Sequence, residues 1–393
     1  MLSNMNFDYF LPTRLLFGPG RLKKLHEQPL PGRKALLVIS NGKSTRANGY
    51  LDGVENELKL AGVEFEVFDQ IQPNPTNDNV MAGAALARQE DCDFVIGLGG
   101  GSCLDACKAI AAMATNSGNF WDYIRGGSGK GRALQEKPLP VVCISTTAGT
   151  GSETDAWAVI SNEQASEKIG FGSEATLPCL SIVDPEMMLS VPPDFTAYQG
   201  FDAFFHNAEG YISKAGNLFT DMCALTGIEN ISRNLPRTVE DGNDLEARTR
   251  VAFGNTLAGY VMTVGSTTSQ HSFEHALSAS HPKLPHGAGL IMISRAFFTF
   301  QARSGACDQR LVNMAKAMGR ADASKPMDFV EALVELQKAC GVADLRMSDY
   351  GIKKSDLAQY AKDARRTMGL LFEMDPSPIS DEAGAEILEK SFK

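Results

Sequence analysis

Four of the chain's six histidines, His271, His275, His281 and His286, fall within "SQHSFEHALSASHPKLPHGAG" (269–289). His271 and His275 are four residues apart, so on a helix they share one face. His286 follows Pro285, which suits the entry to a further helix. A second pair with the same spacing, Asp202 and His206, stands upstream in "YQGFDAFFHNAEGYIS" (198–213). One carboxylate and two or three neutral imidazoles converging between helices make a mixed nitrogen–oxygen metal site, suited to Fe(II), Zn(II), Ni(II) or Mn(II). The set contains no thiolate, which argues against a structural zinc knot.

Two glycine-rich turns could hold a phosphate-bearing ligand. "GLGGGSCLDACK" (97–108) runs from a strand into a helix. Its glycines let the backbone approach a ligand, and the helix start offers N–H groups to an anion. "STTAGTGSETD" (145–155) also follows a strand and is rich in hydroxyls. Ligands of open α/β sheets bind at strand C-termini, so the two turns together suggest a dinucleotide. The spacing is neither the G-x-G-x-x-G fingerprint nor a P-loop.

The elements that must position these residues read in two styles. From "KALLVIS" (34–40) through "FEVFD" (65–69), "DFVIGLGGGS" (93–102) and "LPVVCIST" (139–146), apolar strands alternate with helical patterns at 49–62, 77–91 and 103–114. This alternation predicts a parallel sheet wrapped by helices. After "SIVDPEMMLSVPPDF" (181–195) only helical patterns follow. The predicted division is an α/β dinucleotide-binding domain over 1–195 and an all-helical metal-binding domain over 196–393. The net charge of −10 argues against a nucleic-acid surface. Eight scattered cysteines, none in a Cys-x-x-Cys pair, read as reduced thiols of a cytoplasmic protein. No signal pattern or membrane-length apolar run is present.

"GGGSCLDACK", "STTAGTGSE", "FDAFFHNAEGYIS" and "HSFEHALSASHPKLPHG", in this order, resemble the iron-containing alcohol dehydrogenase family, as do "FLPTRLLFGPG" (10–20) and "PNPT" (73–76). The resemblance implies a dehydroquinate-synthase-like α/β domain followed by an all-α domain. It implies reversible hydride transfer between a small alcohol and NAD(P), with the reverse reduction of aldehydes or ketones. By motif, the metal, Fe(II) or alternatively Zn(II) or another divalent ion, would be held by Asp202, His206, His271 and His286. His275 would lie by the substrate and carry the proton. Gly99, Gly100, Gly101 and Ser102 would hold the pyrophosphate. Asp105, which completes the motif together with Lys108, would also belong to the cofactor site. Thr146, Thr147, Thr150 and Ser152 would line the cofactor near its nicotinamide end, and Lys168 its ribose.

The chain departs from the family pattern at Ser272 and Glu274, where relatives often carry small residues. His281 matches no ligand position. The loop "VISNGKSTR" (38–46) carries Gly42 at about the place where NAD-preferring members have an acidic residue. With no carboxylate in that loop, and with Lys43, Ser44 and Arg46 there, NADP(H) is favoured over NAD(H). The expected partners are a small alcohol or aldehyde and further copies of the chain, as a homodimer or larger oligomer. The strand-like "FDYFLPTRLLF" (7–17) could pair across such a dimer or form a sheet edge. Alternatives on the same scaffold are a glycerol-type or other polyol dehydrogenase and a dehydroquinate-synthase-like lyase. The lyase would need a basic cluster beside the ligands, which residues 198–290 do not show. Phe204, Phe205 and Phe273 could line a substrate pocket or pack helices.

Overall fold

A computed structural model describes residues 4–393; residues 1–3, the start of the span assigned to the first domain, lie outside the described residues. Eight strands occur among the described residues: β1 (Arg14–Phe17), β2 (Lys34–Ser40), β3 (Glu64–Ile71), β4 (Phe94–Gly99), β5 (Val141–Ser145), β6 (Trp157–Asn162), β7 (Glu167–Gly172) and β8 (Leu180–Val183). Six of them pair in parallel in the order β1-β8-β5-β4-β2-β3. Helices α1 (Ser44–Ala47), α2 (Tyr50–Leu60), α3 (Asn77–Gln89) and α4 (Gly101–Thr115) connect these strands.

The sheet follows from its sequence. Strand β4, "FVIGLG", is buried at every position, as a strand covered on both faces requires. Leu51, Val54 and Leu58 form the inner stripe of α2 and pack on Leu37, Ile39, Ile96, Ile144 and Ile182. Helix α4 is buried along nearly its whole length, from Cys103 to Met113. Helix α3 starts at a capping box in "PNPT": Asn79 N–H donates to Thr76 Oγ1, and Thr76 N–H to Asn79 Oδ1.

The hairpin of β6 and β7 is an addition to the sequence reading. It is antiparallel and stands apart from the six-stranded sheet. Within "FDYFLPTRLLF", only Arg14–Phe17 is a strand, paired with β8 at the sheet edge.

The helical unit comprises α5 (Pro193–Ile212), α6 (Leu218–Glu240), α7 (Leu245–Val264), α8 (Ser269–Ser280), α9 (His286–Ser304), α10 (Asp308–Ala317), α11 (Met327–Ala339), α12 (Leu357–Glu373) and α13 (Asp381–Ser391). Helix α6 runs through Pro236 to Glu240. Leu235 and Thr238 are fully buried there, and this packing holds the last turn despite the missing N–H of proline.

The compact units are Phe10–Ser190 and Val191–Lys393, the latter joined by the described residues before Phe10. The start of the second unit at Val191 has a local reason. Pro193 occupies the first turn of α5, where a missing N–H costs nothing. The Arg248 guanidinium, on α7, donates to the Val191 carbonyl at 3.1 Å and to Thr196 Oγ1 at 2.8 Å. The N-terminal segment joins the same unit through a bridge from Asn4 to Asn217 and an edge contact of Tyr9 on Phe219.

Candidate metal centre and nucleotide-binding turns

Helix α5 places Asp202, His206 and Glu209 on one face, at i, i+4 and i+7. Helix α8 places His271 and His275 one turn apart, and His286 is the first residue of α9. These elements gather the side chains around one atom. Asp202 Oδ1 lies 3.6 Å from His206 Nδ1, 3.6 Å from His271 Nε2 and 3.5 Å from His286 Nε2. The donor atoms of Asp202, His271 and His286 all fall within 4.8 Å of one another. His206 stands beside this trio, its ring stacked on that of His271 at 4.5 Å between centroids.

The arrangement fits a metal ion on two counts. Donor atoms about 2.1 Å from a tetrahedral ion stand about 3.4 Å apart, close to the spacing here. Asp202 Oδ1 and His271 Nε2 are buried, yet neither makes a hydrogen bond among the described residues, 3.6 Å being too long for one. Buried polar atoms are rarely left so in a finished structure.

The charge balance points the same way. Burial pushes His271 toward the neutral form, but Glu209 and Asp202 outweigh it and lift its pKa to about 10. Burial pushes the Asp202 carboxyl up, and His206, His286 and His271 overcome this and hold it below the usual carboxylate range. A site that draws a proton this strongly onto a buried imidazole is one where a cation is stabilised.

Two buried carboxylates escaped the sequence reading as parts of the site. Glu209 Oε1 lies 2.6 Å from His271 Nδ1, while its other oxygen accepts from Thr268 N–H at 2.9 Å and Thr268 Oγ1 at 2.7 Å. Glu274 contacts His286 Nδ1 through Oε2. The signal for Glu209 was present: it lies three residues after His206, in line with Asp202 and His206 on one helix face.

The remaining histidines separate clearly. His275 is buried and close to His286, at 5.2 Å between ring centroids, and its Nδ1 lies 2.8 Å from Met368 Sδ. His281 ends α8: its N–H donates to Leu277 O, and its Nε2 lies 2.9 Å from the Tyr360 hydroxyl. His26 lies on Glu57 in the α/β unit. Phe204, Phe205 and Phe273 are fully buried against Phe329, Phe298 and Phe372, so helix packing accounts for them. Ser272 donates its hydroxyl hydrogen to the Ala364 carbonyl at 2.8 Å and ties α8 to α12.

In the α/β unit the two glycine turns meet. Thr146 N–H donates to the Gly99 carbonyl at 3.0 Å. A Cβ at Gly100 would stand 3.1 Å from Thr147 Oγ1, and one at Gly101 only 2.3 Å from Thr150 Cγ2. The glycines therefore serve first to let the second turn close on the first. No side chain caps α4, so its first N–H groups, at Gly101 and Ser102, face outward from a half-buried turn.

Beneath the turns lies a fully buried lysine. Lys108 Nζ donates to Ser152 Oγ, Asp155 Oδ1 and the Trp157 carbonyl, each at 2.8 Å. Ser152 Oγ donates to Asp105 Oδ1 at 2.6 Å, and Asp105 Oδ2 accepts from Val159 N–H at 2.8 Å. Burial pushes Lys108 toward losing its proton, but Asp155 foremost holds its pKa above the usual value. Asp105 and Ser152, assigned by motif to the cofactor, thus have their side-chain oxygens committed internally. They pin the second turn and the hairpin to α4. Lys168 is also buried, on β7 opposite Ser161. Thr146, Thr147 and Thr150 remain partly exposed.

Gly42, Lys43 and Ser44 are exposed where β2 passes into α1. Arg46 is paired at 2.8 Å with Asp69 of β3, so a carboxylate does stand beside this loop. It belongs to the neighbouring strand, which the loop sequence alone could not reveal.

Strand-end glycine turns in a parallel sheet, and a buried carboxylate–imidazole cluster in a helical unit, are features of a metal- and nicotinamide-dependent dehydrogenase. The chain matches the family "Iron-containing alcohol dehydrogenase" over residues 12–185 and "Fe-containing alcohol dehydrogenase family, C-terminal" over 196–392. It is 32% identical to 1,3-propanediol dehydrogenase of Citrobacter freundii, with all of both chains covered. It is 31% identical to NAD-dependent methanol dehydrogenase of Bacillus methanolicus, covering 91% of this chain and 93% of that one. Its fold superposes on an archaeal halo-thermophilic alcohol dehydrogenase from a Red Sea brine pool with a TM-score of 0.92, at 33% identity and full coverage of both chains. The chain belongs to the iron-containing alcohol dehydrogenase family, and it is an oxidoreductase acting on the CH–OH group.

Proposed function

We propose that the chain interconverts a small alcohol or diol and its aldehyde or ketone, with one divalent metal held by Asp202, His206, His271 and His286. The observation that carries this reading is the ring of three imidazoles at 3.5–3.6 Å around one buried Asp202 oxygen. Fe(II) is the metal the family points to, and Zn(II) suits the same donors. When bound, the metal supplies Lewis-acid polarisation of the substrate oxygen, and the nicotinamide supplies or accepts the hydride. Asp202 brings the negative charge that draws the cation. Glu209 holds the His271 ring in place by its second nitrogen. His275, buried beside His286, carries the substrate's proton as a general acid–base. Outward N–H groups of Gly101 and Ser102, with the Gly99–Gly100 turn, receive the pyrophosphate. Thr146, Thr147 and Thr150 line the nicotinamide end, and Lys168 the ribose.

NADP(H) is the favoured cofactor. Gly42 leaves room, and Lys43, Ser44 and Arg46 offer positive charge and a hydroxyl to a 2′-phosphate. The Arg46–Asp69 pair is half exposed on both sides, so it is weak and can give way to a phosphate. Met5, Phe7, Tyr9 and Phe10 are exposed apolar side chains, which supports self-association as a homodimer or larger homo-oligomer through this segment. All eight cysteines are free thiols, which supports a reducing, cytoplasmic location. Among the described residues, no helix is long and apolar enough to cross a membrane.

Absorbance at 340 nm, followed with a panel of alcohols and aldehydes and with both dinucleotides, tests this reading. The expected result is turnover with higher kcat/KM for NADPH than for NADH. Arg46→Ala should lower the NADPH value about tenfold while sparing NADH, as expected for one charged hydrogen bond. A clear NADH preference in the parent would reject the cofactor assignment. No dinucleotide-linked turnover with any substrate of the panel would reject the enzymatic one.

A further inference from the structure

We infer that Glu274 is a positioning residue of the metal centre, holding His286 by Nδ1 so that Nε2 faces Asp202. The inference rests on the metal reading of the site given above. His286 is the most exposed of the three candidate histidine ligands. It is the first residue of α9, the Pro285 before it provides no side-chain cap, and its side chain is 22% exposed against 4% for His271 and 8% for His206.

The Glu274 side chain, by contrast, is fully buried on α8, and its Oε2 meets His286 Nδ1. An ionised carboxylate only accepts, so the shared hydrogen belongs to Nδ1. That fixes the tautomer and leaves Nε2, 3.5 Å from Asp202 Oδ1, as the ligating nitrogen. Glu209 does the same for His271 from another helix, at 2.6 Å. Two helices thus each commit a buried carboxylate to the far nitrogen of an imidazole. Burying a carboxylate is costly unless a partner compensates it. The chain also makes room for this one. A Cβ at Gly289, in the first turn of α9, would lie 2.7 Å from Glu274 Cγ. The carboxylate therefore sits beside a helix N-terminus, where the macrodipole favours negative charge.

The test is a zinc(II) titration of metal-free protein against a competing chelator, with histidine-labelled nitrogen-15 spectra of the zinc-loaded forms. Parent, Glu274→Gln, Glu274→Met and Gly289→Ala are compared. Gln keeps an oxygen that accepts from Nδ1, so Glu274→Gln should bind zinc within a few-fold of the parent. Met keeps the length and loses the acceptor, so Glu274→Met should bind about 10–100-fold more weakly, the usual effect of losing such a partner. The His286 Nδ1–H signal should persist in the first and disappear in the second. Gly289→Ala keeps the carboxylate but displaces it, and should weaken zinc in the same direction. This variant keeps the test open if Glu274→Met does not fold. Zinc affinity in both Glu274→Met and Gly289→Ala equal to the parent's, with the Nδ1–H signal unchanged, overturns this inference alone. A parent that binds no zinc overturns the metal reading together with it.

Discussion

The His286→Ala protein should purify without stoichiometric metal and with turnover reduced at least about 10³-fold, the scale of a Lewis acid contributing several kcal/mol. His286 Nε2 lies 3.5 Å from Asp202 Oδ1 and within one group of donors with His271. Removing it opens the site on its more exposed side and leaves Asp202 and Glu274 each with one fewer compensating group. The fold should survive, because the His286 side chain is partly exposed and is not part of an apolar cluster. Elemental analysis and the 340 nm assay on the same sample check both halves. Metal retained at the parent's level would remove His286 from the ligand set.

His275→Ala should behave oppositely. It should keep its metal and lose about 10²–10⁴-fold in kcat, the usual contribution of a positioned proton carrier. His275 lies one turn beyond His271, its ring 6.4 Å from that of His271 and 5.2 Å from that of His286, and its donor atom groups with Glu274 and His286 rather than with Asp202 and His271. Its Nδ1 rests on a methionine sulfur, a weak acceptor, whereas His271 and His286 have carboxylates at the same position. That contrast supports the proposal, first drawn from the family resemblance, that His275 carries the proton while His271 and His286 hold the metal. The pH dependence of kcat should change in the variant, which simple loss of packing would not produce. Equal loss of metal in His275→Ala and His286→Ala would overturn the division of roles.

Much of this architecture is written locally in the chain. "KALLVIS" and "DFVIGLGG" are short, largely apolar runs of the kind a strand covered on both faces carries, and they form β2 and β4. The hairpin of β6 and β7 was not legible. Its turn is closed by Ser166 at a positive φ of 51°, with no Asn-Gly or Asp-Gly signal to mark it. Asp202, His206 and His271 announce themselves by helical spacing. Glu274 does not, since its partner lies across a turn on the next helix and only the fold brings the two together. Asp69 escaped for the same reason, being adjacent to Arg46 only through the pairing of β2 with β3. The motif run "GGGSCLDACK" marks the right place while mixing two jobs. Gly101 and Ser102 end at an open helix start, whereas Asp105 and Lys108 turn inward to hold the second turn.

We propose that oxidation and reduction at this site require a metal held by Asp202 and the surrounding imidazoles. The most direct measurement strips the parent protein with a chelator, verifies the loss by elemental analysis, and follows NADPH- and NADH-linked turnover before and after adding Fe(II) or Zn(II). The expected result is no turnover in the stripped protein and recovery with one equivalent of metal per chain. Full turnover in protein shown to be free of metal would contradict it.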